Sequence, residues 1–210
     1  MRLTIELGGI IAYTHSMNYF AHLYFAKPTV PSHIGNLLGD FRKGVEVASL
    51  CPETKRALDN HYVVDRFTDS HEDIKAAKAL FSAHTKRFAP VAIDMLFDHF
   101  LIRHWSLFSS VSFHTHCEKT YQRLEAGLPL MPNRMSKTVS HMVEHDWFSD
   151  YAKIDSMLNA IVMVTKRIKF ENRFADCVND ITRHHDALNQ CFLSFFPQLV
   201  DHMRVHSCEK

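Results

Sequence analysis

An all-α fold built as a single-domain helical bundle follows from three features of the sequence: few turn formers, an apolar fraction rich in Phe, Leu and Met, and apolar spacings of three and four residues along most of the chain. Gly occurs 6 times and Pro 7 times in 210 residues, too few for the turn-dense layout of a sheet protein. Apolar residues make up 46% and charged residues 22%, the balance of a folded chain rather than a disordered one. A chain of 210 residues buries one full core but is short for two.

The elements can be justified in order. Residues 1–16 stand apart as an N-terminal extension, dispensable to a domain at 17–210; its apolar run Leu7 to Tyr13 has one upstream Arg and is poor as a secretion signal. Met17 to Phe25 reads as a buried helical turn or a short extended entry, which periodicity does not decide. Ser32 serves as N-cap for a helix through Ile34, Leu37, Leu38 and Phe41 that Gly44 ends. Pro52 opens a long helix to about Asp69. Further helices are expected at Ile74 to Phe88, closed by Pro90, and at Val91 to Trp105, whose apolar stripe makes it central. Others follow at His114 to Ala126, Arg134 to Trp147, Ser156 to Arg167 and Phe174 to Phe196, with GLPLMPN as the clearest break.

Charge and cysteine content exclude several classes of function. A formal net charge of +1 gives no whole-chain field, and Lys166, Arg167 and Lys169 form only a short basic patch, so nucleic acid is not an expected partner. The 5 cysteines are odd in number and lack a C-x-x-C pair, which argues against a disulfide framework and fits a reducing cytoplasm. No apolar run reaches the roughly 18 residues of a membrane span. Phosphate loops, G-x-S-x-G elbows, H-E-x-x-H and nucleotide fingerprints are absent from the sequence.

Several constellations could carry chemistry. His61, Asp65 and Asp69 lie at i, i+4 and i+8, so on a helix they share one face within an arc of about 80°. Imidazole and carboxylate together suit a divalent ion, although a solvated polar face has the same pattern. Asp98 and His99 sit in the most apolar helix, where a bare carboxylate is costly to bury; a metal or Arg103 would compensate it. Asp94, one turn earlier, adds to a carboxylate cluster that repels itself without a cation. Asn36 and Asp40 lie one turn apart, with Gly35 and Gly39 leaving that backbone open to close approach. His22, in an apolar run, reads first as a satisfied core histidine. His184, His185 and Asp186 form a further cluster that ranks lower.

Taken together, MNYFAHL at 17–23, GNLLGDFRKG at 35–44, H-x-x-x-D-x-F-T-D at 61–69 and FDHFLIRHW at 97–105 resemble the acyl carrier protein phosphodiesterases, with HHDAL and FLSFFP at 184–197 extending the likeness to Pro197. The resemblance implies a divergent HD-type phosphohydrolase fold that depends on a divalent ion, Mn²⁺ first and Mg²⁺ or Fe²⁺ next. It implies a ligand set of His22, Asp40, His61, Asp65, Asp69 and Asp98. The implied substrate is holo-acyl carrier protein, with His99 or His61 as general acid and Arg66, Arg103 or Lys43 meeting the phosphate. Arg42, Lys43, Arg66, Lys86 and Arg87 are candidates for a basic rim facing an acidic carrier. Tyr62 stands where the family often has Arg. Two other readings share these residues: an HD-type enzyme acting on a nucleotide or other small phosphoester, and a non-catalytic helical binding protein.

Overall fold

In the computed structural model of the chain the described residues are 4–7, 10–13, 19–168, 170 and 172–210. Among them the fold is all-α apart from an antiparallel hairpin of β1 (Thr4–Leu7) and β2 (Ile10–Tyr13), with Leu7 opposite Ile10. That hairpin falls in the expected extension, whose other residues lie outside the described ones. The helices are α1 (Tyr19–Tyr24), α2 (Val30–Leu38), α3 (Pro52–Ser70), α4 (Glu72–Ala79), α5 (Ala89–Arg103), α6 (Trp105–Phe108), α7 (Phe113–Gly127), α8 (Asn133–Glu144), α9 (Trp147–Tyr151), α10 (Ile154–Arg167) and α11 (Cys177–His206). No helix among the described residues is long and apolar enough to cross a membrane.

The core forms around α5, every residue of which is buried except Pro90, Asp94 and Arg103. Helices α1, α4, α9, α10 and α11 pack against it. Its stripe of Phe97 and Phe100 meets Phe192 of α11 at ring separations of 5.3 and 5.8 Å, distances at which aromatic edges and faces attract beyond simple burial. Helix α2 lies directly on α3 because Gly35 has no side chain: a Cβ there would come within 2.4 Å of Ala57 Cβ and 2.5 Å of the Thr54 carbonyl.

Some boundaries differ from those the sequence predicts. The undecided segment at 17–25 is helical over α1. Helix α2 starts earlier than Ser32, with Thr29 as its cap accepting from the Ser32 N–H at 3.3 Å. The helix expected at 74–88 stops at Ala79, because Asp180 of α11 draws the following turn toward itself. It accepts the Ser82 N–H and hydroxyl, each at 3.2 Å, and the Thr85 hydroxyl. Pro90 therefore opens α5 rather than closing its predecessor. The segment at 134–147 breaks at Asp146, which adopts a left-handed φ of 44° and caps α9. Helix α11 runs through Pro197 to His206 and bends at His184 instead; Pro197 is exposed, so the Leu193 carbonyl it frees can be met by water.

Buried histidines set an acid limit on this fold. His33 of α2 donates through Nδ1 to the Thr29 carbonyl at 2.9 Å, and burial, then Arg123, lowers it from its ordinary 6.5 to about 4. The unfolded chain takes up this proton below pH 6.5 while the folded chain resists until about pH 4, so stability is full above the upper value and falls through that window. Such a displacement is worth about 3 kcal/mol. Denaturation midpoints measured from pH 7 to 4 are expected to fall less steeply in His33→Asn, which keeps an N–H donor but does not titrate.

Candidate metal centre

The site grows from α3. One turn separates His61 from Asp65, so both project toward α2 and α1, where a buried His22 arrives from the first turns of the domain. His61 Nε2 lies 3.2 Å from Asp65 Oδ2 and His22 Nε2 lies 3.3 Å from Asp65 Oδ1. The two imidazoles stack with ring centres 3.8 Å apart. One nitrogen of each and one Asp65 oxygen lie within 4.8 Å of one another. The His61 ring occupies the space that Gly39 leaves open: a Cβ on Gly39 would stand 2.0 Å from His61 Nε2.

The protonation of His61 decides what this arrangement can hold. Its Nδ1 faces the Asn36 carbonyl at 2.7 Å; a carbonyl only accepts, so Nδ1 carries a hydrogen, and in the neutral ring Nε2 is the nitrogen with a lone pair facing Asp65. A neutral Nε2 and a carboxylate oxygen at this distance are both acceptors, so either a proton on the ring or a bound cation has to lie between them. His22 Nδ1, His22 Nε2 and His61 Nε2 are all buried without an aligned hydrogen bond, an arrangement that costs stability unless it is filled. Burial, then His61, lowers His22 from 6.5 to about 4. Burial pushes the Asp65 carboxyl up, but the two histidines outweigh it and hold Asp65 well below the usual carboxylate range. Two nitrogens and one carboxylate are a donor set for a divalent first-row ion, and the residues fit that group.

Asp40, expected from the resemblance as a ligand, is not one of that group of three. It is buried in the tight turn after α2, both of its oxygens lack a hydrogen-bond partner, and burial, then Asp65 and Asp94, raises it well above the usual range. Asp98 has a different task. Its two oxygens accept the N–H groups of Phe20 at 3.0 Å and Ala21 at 2.9 Å, so it caps α1 from a distant helix. Burial raises its pKa, and the two backbone bonds oppose that rise. Arg103 is exposed, so the groups the fold places against this carboxylate are the two N–H groups at the start of α1. Phe20 locks α1 in place, its ring 4.9 Å from Phe148 and 5.5 Å from Trp105, and His22 follows within the same helix.

The remaining candidates are dispersed. Asp69, on the last turn of α3, is 66% exposed and 3.9 Å from Lys78 Nζ, so the shared face seen in the spacing does not carry it into the cluster. His99 donates through Nδ1 to the Tyr151 carbonyl at 2.6 Å; burial, then Arg103, His185 and His104, lowers its pKa. Arg66, Arg103, Lys43, Lys86 and Arg87 are exposed, and Arg42 donates to the Val45 carbonyl at 2.8 Å. Tyr62 stands edge-on to His61 at 5.6 Å. Of the late cluster, His185 meets Asp186 at 3.1 Å while His184 forms the bend in α11. In the basic patch at 166–169, Lys169 and the Arg167 side chain lie outside the described residues.

A supporting network was invisible in the sequence. Asn36, whose carbonyl fixes His61, donates its own amide to the buried Glu209 at 2.7 Å and accepts from Asn60 at 3.0 Å. Asn60 in turn accepts from Ser207 Oγ at 2.8 Å. The end of the chain thus buttresses the backbone behind His61, a contact across 173 residues that no local pattern announces.

Residues 17–199 match the family model described as acyl carrier protein phosphodiesterase. This chain belongs to the acyl carrier protein phosphodiesterase family. It is 31% identical over 185 residues to the acyl carrier protein phosphodiesterases of Serratia proteamaculans and Yersinia enterocolitica, covering 88% of this chain and 96% of each relative. The Escherichia coli protein of the same name is 31% identical over 186 residues. No solved structure matches the chain. The match starts where α1 is about to begin, and it takes in the His22, Asp40, His61 and Asp65 positions together.

Proposed function

We propose that this chain hydrolyses the phosphodiester joining phosphopantetheine to the serine of holo-acyl carrier protein, giving apo protein and 4′-phosphopantetheine, with a divalent cation, Mn²⁺ first, held by His22, His61 and Asp65 and with Asp40 alongside. The observation that carries this reading is the pair of buried histidine nitrogens that face Asp65 without an aligned hydrogen bond in a member of a phosphodiesterase family. A cation there supplies Lewis-acid polarisation of a phosphoryl oxygen and a water acidified enough to attack phosphorus near neutral pH.

The chain's own residues supply placement. Asn36 fixes the His61 tautomer, so Nε2 always faces the site. Asp98 fixes the start of α1 and with it His22. The carboxylates of Asp40 and Asp65 hold negative charge where a cation is needed, and burial on α1, α2 and α3 keeps bulk water from competing for those lone pairs. All five cysteines are unpaired, which supports a reducing, cytoplasmic setting.

The test is to incubate purified protein with holo-acyl carrier protein and Mn²⁺ and follow the mass of the carrier. Loss of one phosphopantetheine mass is expected. An unchanged carrier with turnover of small phosphodiesters would instead support a small-substrate enzyme, and failure to retain Mn²⁺ would support a binding protein. Gly39→Ala probes the support of the site: its backbone φ of −52° suits Ala, so the fold should persist while the new methyl displaces the His61 ring. Mn²⁺ affinity measured by equilibrium dialysis is expected to fall by roughly 10- to 100-fold.

A further inference from the structure

The site described above is rich in carboxylates, with Asp94 and Asp98 acting on Asp40 besides Asp65, and a phosphodiester brings another negative charge to it. Besides a bound divalent ion, a cation of the chain itself facing that substrate would offset this charge. The residues that sequence spacing offers do not: Arg66 is about 100° around α3 from Asp65, and it and Arg103 are exposed.

Arg134 is differently placed. It lies in the first turn of α8, and its guanidinium carbon sits 5.6 Å above the Phe41 ring. The Phe41 ring also stacks on Tyr19, with ring centres 6.0 Å apart and planes 16° apart. Three segments therefore converge on Phe41, which directly follows Asp40, while Tyr19 lies three residues before His22. The Arg134 guanidinium enters none of the ion pairs found among the described residues. A guanidinium held by its face against a ring keeps its N–H edges available, and those edges match two phosphate oxygens.

We propose that Arg134 binds the phosphodiester of the substrate and the phosphate of the 4′-phosphopantetheine product. This inference rests on the reading of function given above. The competing role is structural, with Arg134 merely offsetting the charge of Asp40, and the two roles differ in what the variants lose.

The test compares Mn²⁺-loaded wild type, Arg134→Ala and Arg134→Lys by calorimetric titration with 4′-phosphopantetheine, by KM and kcat on holo-acyl carrier protein, and by Mn²⁺ affinity. Arg134→Ala is expected to bind 4′-phosphopantetheine roughly 10- to 100-fold more weakly, the loss of a charge-assisted contact, with KM raised and Mn²⁺ affinity unchanged. Arg134→Lys should recover part of that binding, since it keeps the charge but not the two-pronged geometry. Equal product binding in wild type and Arg134→Ala overturns the proposal, as does a loss that Mn²⁺ affinity fully accounts for. Should wild type leave the holo carrier untouched, the reading of function falls; titration of wild type and Arg134→Ala with inorganic phosphate still decides the role of Arg134.

Discussion

Asp65→Asn is expected to abolish retention of Mn²⁺ and to lower turnover of holo-acyl carrier protein by a factor on the order of 10³ or more while leaving the chain folded. Asp65 is the residue whose two oxygens separately meet His22 and His61, and it is held ionised by them. The amide keeps the shape but removes the charge and places an N–H₂ group opposite one imidazole. Loss of the stabilisation that a cation gives to a phosphoryl transition state is worth several kcal/mol, and about 4 kcal/mol corresponds to roughly 10³ in rate. Elemental analysis of the purified variant and a mass assay of the carrier read the two effects independently. A variant that keeps both its metal and its turnover would remove this cluster from consideration as the centre. Asp69→Asn is the companion measurement: with its carboxylate 66% exposed and 3.9 Å from Lys78, it is expected to change turnover less than twofold and stability by less than about 0.5 kcal/mol.

The difference between Asp65 and Asp69 shows how far spacing carries. A separation of four residues puts His61 and Asp65 on one face, and the structure uses that face. Four residues further on, the same face reaches the solvent end of α3, because what lies opposite a helix turn is decided by its neighbours and not by its period. The all-α class and most helix positions were legible because they depend on local apolar spacing and on caps. The segment 80–88 was not, since its conformation is imposed by Asp180, which lies 98 residues away from Ser82. Gly35 and Gly39 announced a close approach, and each proves to have one. Which group would approach was hidden: Ala57 and the Thr54 carbonyl at the first, the His61 ring at the second. Arg134, Asn60 and Glu209 had no local signal, because each acquires its role from a partner brought up by tertiary folding.

Asp98→Ala is expected to destabilise the metal-free protein by about 2–4 kcal/mol, and the reason it does so separates two roles for this residue. As a cap, Asp98 satisfies two buried N–H groups of α1; without it each is left unpaired at about 1–3 kcal/mol, partly offset because a buried carboxyl no longer has to be desolvated. α1 then loses its fixed start, and His22 loses its position against His61. As a metal ligand alone, Asp98 would matter only when the ion is bound, and its removal would leave the metal-free protein as stable as before or more so. Urea denaturation of wild type, Asp98→Ala and Asp98→Asn in the presence of a chelator distinguishes these outcomes directly. The cap predicts a lowered midpoint for Ala and an intermediate one for Asn, whose single amide oxygen can accept from one of the two N–H groups while its N–H₂ opposes the other. Mn²⁺ affinity is then expected to fall in the same order as the midpoint, because the carboxylate on α5 holds the start of the helix that carries His22.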